Sequence, residues 1–136
     1  MEQGKPTKTE SPLRRFVLIV EDEQEFADLL ARHLSSEGYR PIICPKIPEA
    51  IQKLRVQKFH CVLLDMRLEH GSGERIIDEL RDARGGYNHR TPIIVISAYL
   101  DGPLVKRIRA NITDILVKPF DFKALTQRLE SLPPAA

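Results

Sequence analysis

No apolar run in this sequence approaches the ~20 residues that a membrane-spanning helix needs; the longest β-rich stretches are Phe16–Val20 and residues 92–96. The opening segment, MEQGKPTKTESPLRR, has no apolar centre and so does not read as a secretory signal. Cysteine is scarce: Cys44 and Cys61 lack CxxC spacing and are too few for a disulfide framework. They are expected to be small buried hydrophobes. His33, His60, His70 and His89 are scattered without metal-ligand spacing, and His33 falls on the apolar side of a predicted helix as a packed or partly exposed residue rather than a ligand. An excess of either charge sign is also missing. The net charge is +2, and Lys5, Lys8, Arg14 and Arg15 against Glu2 and Glu10 account for all of it. The rest of the chain is balanced, without the basic footprint of a nucleic-acid-binding domain. These absences leave no membrane segment and no direct nucleic-acid partner, and they make a cytoplasmic location the expectation.

What is present is enough to build a core. The chain has 136 residues, 42% hydrophobic and 29% charged, which suits one ordinary domain. Residues 1–14 read as a flexible leader, 15–132 as the domain, and 133–136 as a tail or the start of a linker. Within the domain, strands and helices alternate five times. Phe16–Val20, residues 40–44, Cys61–Leu64, residues 92–96 and residues 115–117 are strand-like. Helices are expected with Phe26, Leu29, Leu30, His33 and Leu34 on one face, then Ala50, Ile51, Leu54 and Val56, then Ile76, Ile77 and Leu80. Gly38 is placed to end the first helix, and Pro48 to sit in the first turn of the second. A short helix from Pro103 to about Ala110 is closed by Asn111 as a left-handed residue. A last one is capped by Asp121 and carries Phe122, Leu125, Leu129 and Leu132. Five βα units imply an α/β fold, a doubly wound parallel sheet with helices on both faces.

In such a sheet, ligands bind at the carboxyl ends of the strands. Glu21 and Asp22 follow the first strand, Asp65 the third, Ser97 closes the fourth and Lys118 follows the fifth. Each alone is an ordinary cap, turn or surface residue. Together they gather three carboxylates, a hydroxyl and an ammonium on one rim. Two carboxylates about 4 Å apart repel by about 4 kcal/mol at an effective dielectric near 20, so the set calls for a hard divalent cation such as Mg²⁺. The cation and Lys118 would also stabilise a phosphoryl group, with a carboxylate as its acceptor. Asp65, at the end of the central apolar run, is the best placed.

VLIVEDE, VLLDMRLEHGSG, VISA and LVKPF resemble the motif set of the bacterial response-regulator receiver domain over residues 16–132. The resemblance implies a five-stranded parallel sheet of order 2-1-3-4-5, a flavodoxin-like or CheY-like three-layer sandwich. It implies Asp65 as phospho-acceptor, Ser97 and Lys118 as phosphoryl-binding partners, and Asp22, Glu21, Asp65 and the Arg67 backbone carbonyl around Mg²⁺. It also implies a cis Lys118–Pro119 bond and Gly73 opening the third helix. A sensor histidine kinase or phosphotransfer protein would be the phosphoryl donor. A homodimer through the fourth-helix, fifth-strand, fifth-helix face is among the implied assemblies.

Three departures from the family pattern are visible. Ile115 stands where an aromatic switch residue is common, and the nearest aromatic to Ser97 is Tyr99. Glu69 stands where proline is usual, so the loop after Asp65 is expected to be less rigid. Ser97 and Lys118 are one residue closer than usual, so a short or irregular fourth helix is expected. Arg67 and Tyr99 sit where they would tune phosphoryl lifetime. The implied function is a phosphorylation-dependent switch rather than a classical enzyme. A phosphorylation-independent, receiver-like interaction module is the alternative. A phosphohydrolase ranks low, because Arg67 occupies the place of its usual general acid.

Overall fold

Residues 15–133 are described in a computed structural model of the chain. The expected leader, and residues 134–136 of the expected tail, lie outside the described residues. The apolar runs become strands: β1 (Phe16–Val20), β2 (Arg40–Ile43), β3 (Cys61–Leu64), β6 (Ile93–Ser97) and β7 (Asp114–Val117). All pair in parallel in the order β2-β1-β3-β6-β7. Counting only these five gives the expected order 2-1-3-4-5. Two further strands, β4 (Arg67–Leu68) and β5 (Gly71–Ser72), form a separate antiparallel hairpin.

The helices cover both faces. α1 (Gln24–Ser36) and α5 (Phe122–Glu130) pack on one side, where Leu30, Leu34, Leu125 and Leu129 meet Val17, Ile19, Leu63 and Ile94. α2 (Ile47–Val56), α3 (Glu74–Asp82) and α4 (Gly102–Ile108) pack on the other, where Ile51, Leu54, Ile76, Ile77 and Ile108 meet Leu18, Val62 and Val95. The alternation of strand residues between two cores explains why β1, β3 and β6 are apolar at nearly every position. Leu29 and Val56 depart from the helical-face reading: they are 52% and 63% exposed. Each lies on the side of its helix turned away from the buried residues, which are Ala27, Leu30 and Leu34 in α1 and Ile47, Ala50, Ile51 and Leu54 in α2.

Helix ends follow the local chemistry. Gly38 takes φ 96°, and the Tyr39 N–H reaches back to Leu34 O at 2.9 Å, which closes α1. Asp101 and Asp121 cap α4 and α5 through the Leu104 and Lys123 N–H groups. α4 is short, as expected, and tightens into a 3-10 turn over Arg109–Asn111. Asn111 is not left-handed: no non-glycine residue among those described has positive φ. The chain instead passes from the 3-10 turn straight into extended backbone at Ile112, and the Arg81 guanidinium donates to Asn111 O at 2.8 and 3.0 Å. Cys44 and Cys61 are free and buried, and burial pushes both thiols up, away from the reactive thiolate. His33 is packed as expected, its Nε2 2.7 Å from Thr126 Oγ1 and its ring against Phe122.

The candidate site at the carboxyl edge of the sheet

Strand register brings the predicted side chains together. Val20 pairs with Leu64, and Leu64 with Val95, so Glu21 and Asp65 emerge side by side from β1 and β3. Ser97 pairs with Val117, and Lys118 is the next residue. Glu21, Asp22 and Asp65 offer carboxylate oxygens that all lie within 4.8 Å of one another.

Each carboxylate is held differently. Asp65 is 6% exposed; its Oδ1 accepts from the Arg67 N–H at 3.0 Å and the Ser97 hydroxyl at 3.4 Å. Lys118 Nζ lies 3.3 Å from Asp65 Oδ2 and 2.6 Å from Glu21 Oε1. Glu21 is 1% exposed, and its Oε2 accepts from the Glu23 N–H at 2.9 Å. Burial pushes the Glu21 carboxyl above its ordinary range; the Lys118 and Glu23 hydrogen bonds oppose this, and the Asp65 charge adds to it. Burial alone would lower the Lys118 ammonium, but the Glu21 hydrogen bond and the Asp65 and Glu21 charges outweigh it and hold it raised. Asp22 is half-buried, and its Oδ2 accepts from the Glu69 N–H at 2.6 Å.

That last bond ties the loop after Asp65 to Asp22. Proline at this position would have no N–H to give. Glu69 has one, spends it on Asp22, and sits at the tip of the β4–β5 hairpin, whose pairs are Arg67↔Ser72 and Leu68↔Gly71. A hairpin of two-residue strands has no periodicity to betray it in sequence.

Gly73 opens α3 against the acceptor strand. A Cβ there would stand 2.7 Å from Asp65 O and 2.9 Å from Leu64 Cδ1. Gly73→Ala is therefore expected to push the Asp65 backbone outward and cost about 1–3 kcal/mol by overpacking. Chemical denaturation measures the loss, and the Asp65 and Arg67 amide resonances should shift with it.

Arg67 and Tyr99 lie at the rim. Arg67 Cζ stands 5.5 Å from the centre of the Tyr99 ring, and Tyr99 is 62% exposed. Ser97 Oγ has a second acceptor, Tyr99 O, at 3.3 Å, so its single proton is shared between two long contacts. Ile115 is half-buried and packs toward the α2–α3–α4 core. Lys118–Pro119 is cis. One contact was not foreseen: Lys118 Nζ lies 4.4 Å from the centre of the Phe26 ring, which packs on Phe120 and Phe122. Helical spacing marked Phe26 only as core. Nothing in the sequence pairs it with a lysine so far along the chain.

The order of the sheet, its two helical layers and the acidic pocket at its carboxyl edge define a CheY-like, flavodoxin-type domain. The chain belongs to the response regulator receiver domain family, whose model matches residues 17–130. That family is a signalling domain rather than a classical enzyme. The transcriptional regulatory protein PcoR of Escherichia coli is 30% identical over 117 residues, covering 85% of this chain and 50% of PcoR. The chain thus spans about half the length of this curated relative. The receiver domain of the sensor histidine kinase PA1611 from Pseudomonas aeruginosa PAO1 is 28% identical, with a TM-score of 0.75 over 85% of this chain and 94% of that one. That structure has a magnesium ion coordinated in its active site cleft. A Burkholderia pseudomallei response regulator with a phosphorylated aspartic acid is 24% identical, with a TM-score of 0.76 over 86% of this chain and 67% of that one; it attests the fold. No helix among the described residues is long and apolar enough to cross a membrane.

Proposed function

We propose that this chain is a phosphorylation-dependent switch of a two-component phosphorelay, with Asp65 as the phospho-acceptor. The observation that carries the reading is the hold on Asp65: Lys118, Ser97 and the Arg67 N–H all contact it, and two more carboxylates stand within 4.8 Å. An Asp65 carboxylate oxygen attacks the phosphorus of a phosphohistidine or acyl phosphate. A P–O bond to Asp65 forms as the P–N or P–O bond of the donor breaks, and the leaving group departs with its electron pair. Lys118 and the Ser97 hydroxyl then bind the transferred oxygens. Glu21, Asp22 and Asp65, with the Arg67 backbone carbonyl, would hold Mg²⁺. Three hard oxygen donors with one ammonium as counter-charge fit such an ion. Bound there, it neutralises charge on the carboxylates and the phosphoryl oxygens.

The receiver domain would span residues 15–132, act in the cytoplasm and take its phosphoryl group from a sensor histidine kinase or phosphotransfer protein. The new dianionic group would draw Ser97 and its loop inward and alter the α4–β7–α5 face, which would also serve any homodimer. Arg67 and Tyr99 would set the phosphoryl lifetime, flanking the path of the water that removes it.

The test is intact-mass spectrometry after incubation with acetyl phosphate and Mg²⁺. A single added phosphoryl group is expected, absent from Asp65→Asn and absent with a chelator. Equal labelling of Asp65→Asn, or no labelling of the wild type, overturns the proposal. The alternative of an interaction module draws on Ile115, whose place in the core leaves no ring there to swing toward Ser97. Beryllofluoride and Mg²⁺ that bind without changing any partner's affinity would favour it.

A further inference from the structure

The opposite edge of the sheet holds a second cluster that the phosphoryl chemistry does not use. Lys58 lies between α2 and β3, and residues 84–91 lie between α3 and β6, so both sit where strands begin. We propose that Lys58 and this loop form a mononucleotide-binding site, with the phosphate taken by Lys58 and Arg90 and the base by Tyr87.

The loop is anchored from inside. Asn88 is 1% exposed, and its Oδ1 accepts from the Phe59 N–H and the Thr91 hydroxyl, both at 2.8 Å. Its Nδ2 donates to Leu54 O at 2.7 Å and Gln57 O at 2.8 Å. Arg81 donates to His89 O and Thr91 O at 2.8 and 3.1 Å, and His89 Nδ1 lies 3.2 Å from Leu80 O. A loop whose backbone is fixed at this many points is in place before any ligand arrives, which lowers the ordering cost of binding.

Outside this anchor is a hollow of 310 Å³ lined by Lys58, Gly85, Gly86, Tyr87, His89 and Arg90. No carboxylate lines it. Lys58 is half-buried, and its hydrogen bond is a long one, 3.4 Å to Thr91 Oγ1. Among the described residues, neither Lys58 nor Arg90 has a carboxylate within ion-pair distance. Burial lowers the Lys58 ammonium, and no neighbouring charge restores it. A partly desolvated cation without a counter-ion is offset by an incoming anion.

The remaining lining residues narrow the ligand. Tyr87 is 60% exposed, an aromatic face of the kind on which nucleobases stack. Gly85, at φ 82°, and Gly86 make a turn without side chains, so a ligand can approach its backbone. At 310 Å³ the hollow is at the small end of ligand pockets, which suits one nucleotide rather than two. The acidic rim at the other end of the sheet would repel the same anion.

The test titrates AMP, inorganic phosphate and adenosine separately into the ¹⁵N-labelled full chain without Mg²⁺. AMP is expected to shift the Gly85, Gly86 and Tyr87 amides saturably, at about 1 mM or below, with the amides around Asp65 unmoved. Lys58→Ala with Arg90→Ala should weaken AMP at least tenfold. Tyr87→Ser should reduce AMP to the affinity of inorganic phosphate. Spectra unchanged away from the loop would show that these variants fold. No saturable AMP shift, equal binding by the Lys58/Arg90 variant, or AMP no tighter than phosphate in the wild type each overturns the proposal. None of these outcomes bears on phosphorylation of Asp65.

Discussion

Lys118→Met is expected to cost about 3 kcal/mol of folding stability at neutral pH, and to return much of it on acidification. The Glu21 carboxylate is 1% exposed and has Lys118 Nζ at 2.6 Å. Removing one member of a buried pair leaves the other charged, desolvated and unpaired, a loss typically of about 3–5 kcal/mol. The lower end applies because Lys118 keeps 18% of its side chain exposed. The sign of the pH effect follows from Glu21. Its carboxyl is already raised above the ordinary 4.5 in the folded chain, and loss of the Lys118 hydrogen bond raises it further. The folded state then binds the proton more tightly than the unfolded state, so stability falls as pH rises through the interval above 4.5. Urea denaturation of the variant at pH 8 and pH 5 should show the lower pH as more stable, by more than in the wild type. Glu21→Gln in the same background should remove most of the difference. If the proposed cation site is correct, Mg²⁺ should also stabilise Lys118→Met more than the wild type, because it becomes the remaining counter-charge. A variant as stable as the wild type at pH 8, or equally unstable at both pH values, would show that Lys118 does not neutralise this pocket.

The parts of the site that were legible in sequence share one property: each is a residue directly at the end of an apolar strand. Parallel pairing with aligned ends is enough to bring Glu21, Asp65, Ser97 and Lys118 together, so finding the strands finds the site. The short α4 was legible from the Ser97-to-Lys118 interval, one residue below the family's usual spacing. What escaped depended on atoms that a residue letter does not report. The Glu69 contribution is a backbone N–H, which reads as nothing in the sequence except that proline is missing there. Asn111 was read as a left-handed cap because its type tolerates that conformation; the chain ends in a 3-10 turn instead, and the Asn111 carbonyl is taken by the Arg81 guanidinium from another helix. Phe26 carries the spacing of a core residue and is one, and only the fold places the Lys118 ammonium over its ring.

Asn88→Leu, which keeps the branching of the side chain and removes every polar atom, is expected to destabilise the chain by about 4 kcal/mol. Asn88 sits in the connection between α3 and β6, yet it is among the most thoroughly bonded side chains described. Its removal strands the Phe59 N–H and the Leu54 carbonyl away from water and takes the donor from the half-buried Gln57 carbonyl, and each buried unsatisfied group costs about 1–3 kcal/mol. Asn88→Asp should not rescue the loss. It keeps an oxygen for the Phe59 N–H but turns the two donors into a carboxylate oxygen facing the Leu54 and Gln57 carbonyls, which adds repulsion to a buried charge. Native-state hydrogen exchange locates the damage. Protection should fall first at Phe59 and the residues before β6, where Asn88 ties two loops together, and least at the carboxyl edge around Asp65. A uniform loss across the sheet would mean that Asn88 contributes only to global stability. A loss confined to its own loop would confirm that this edge of the sheet is separately built, with its own rigid scaffold, independent of the acidic site at the other end.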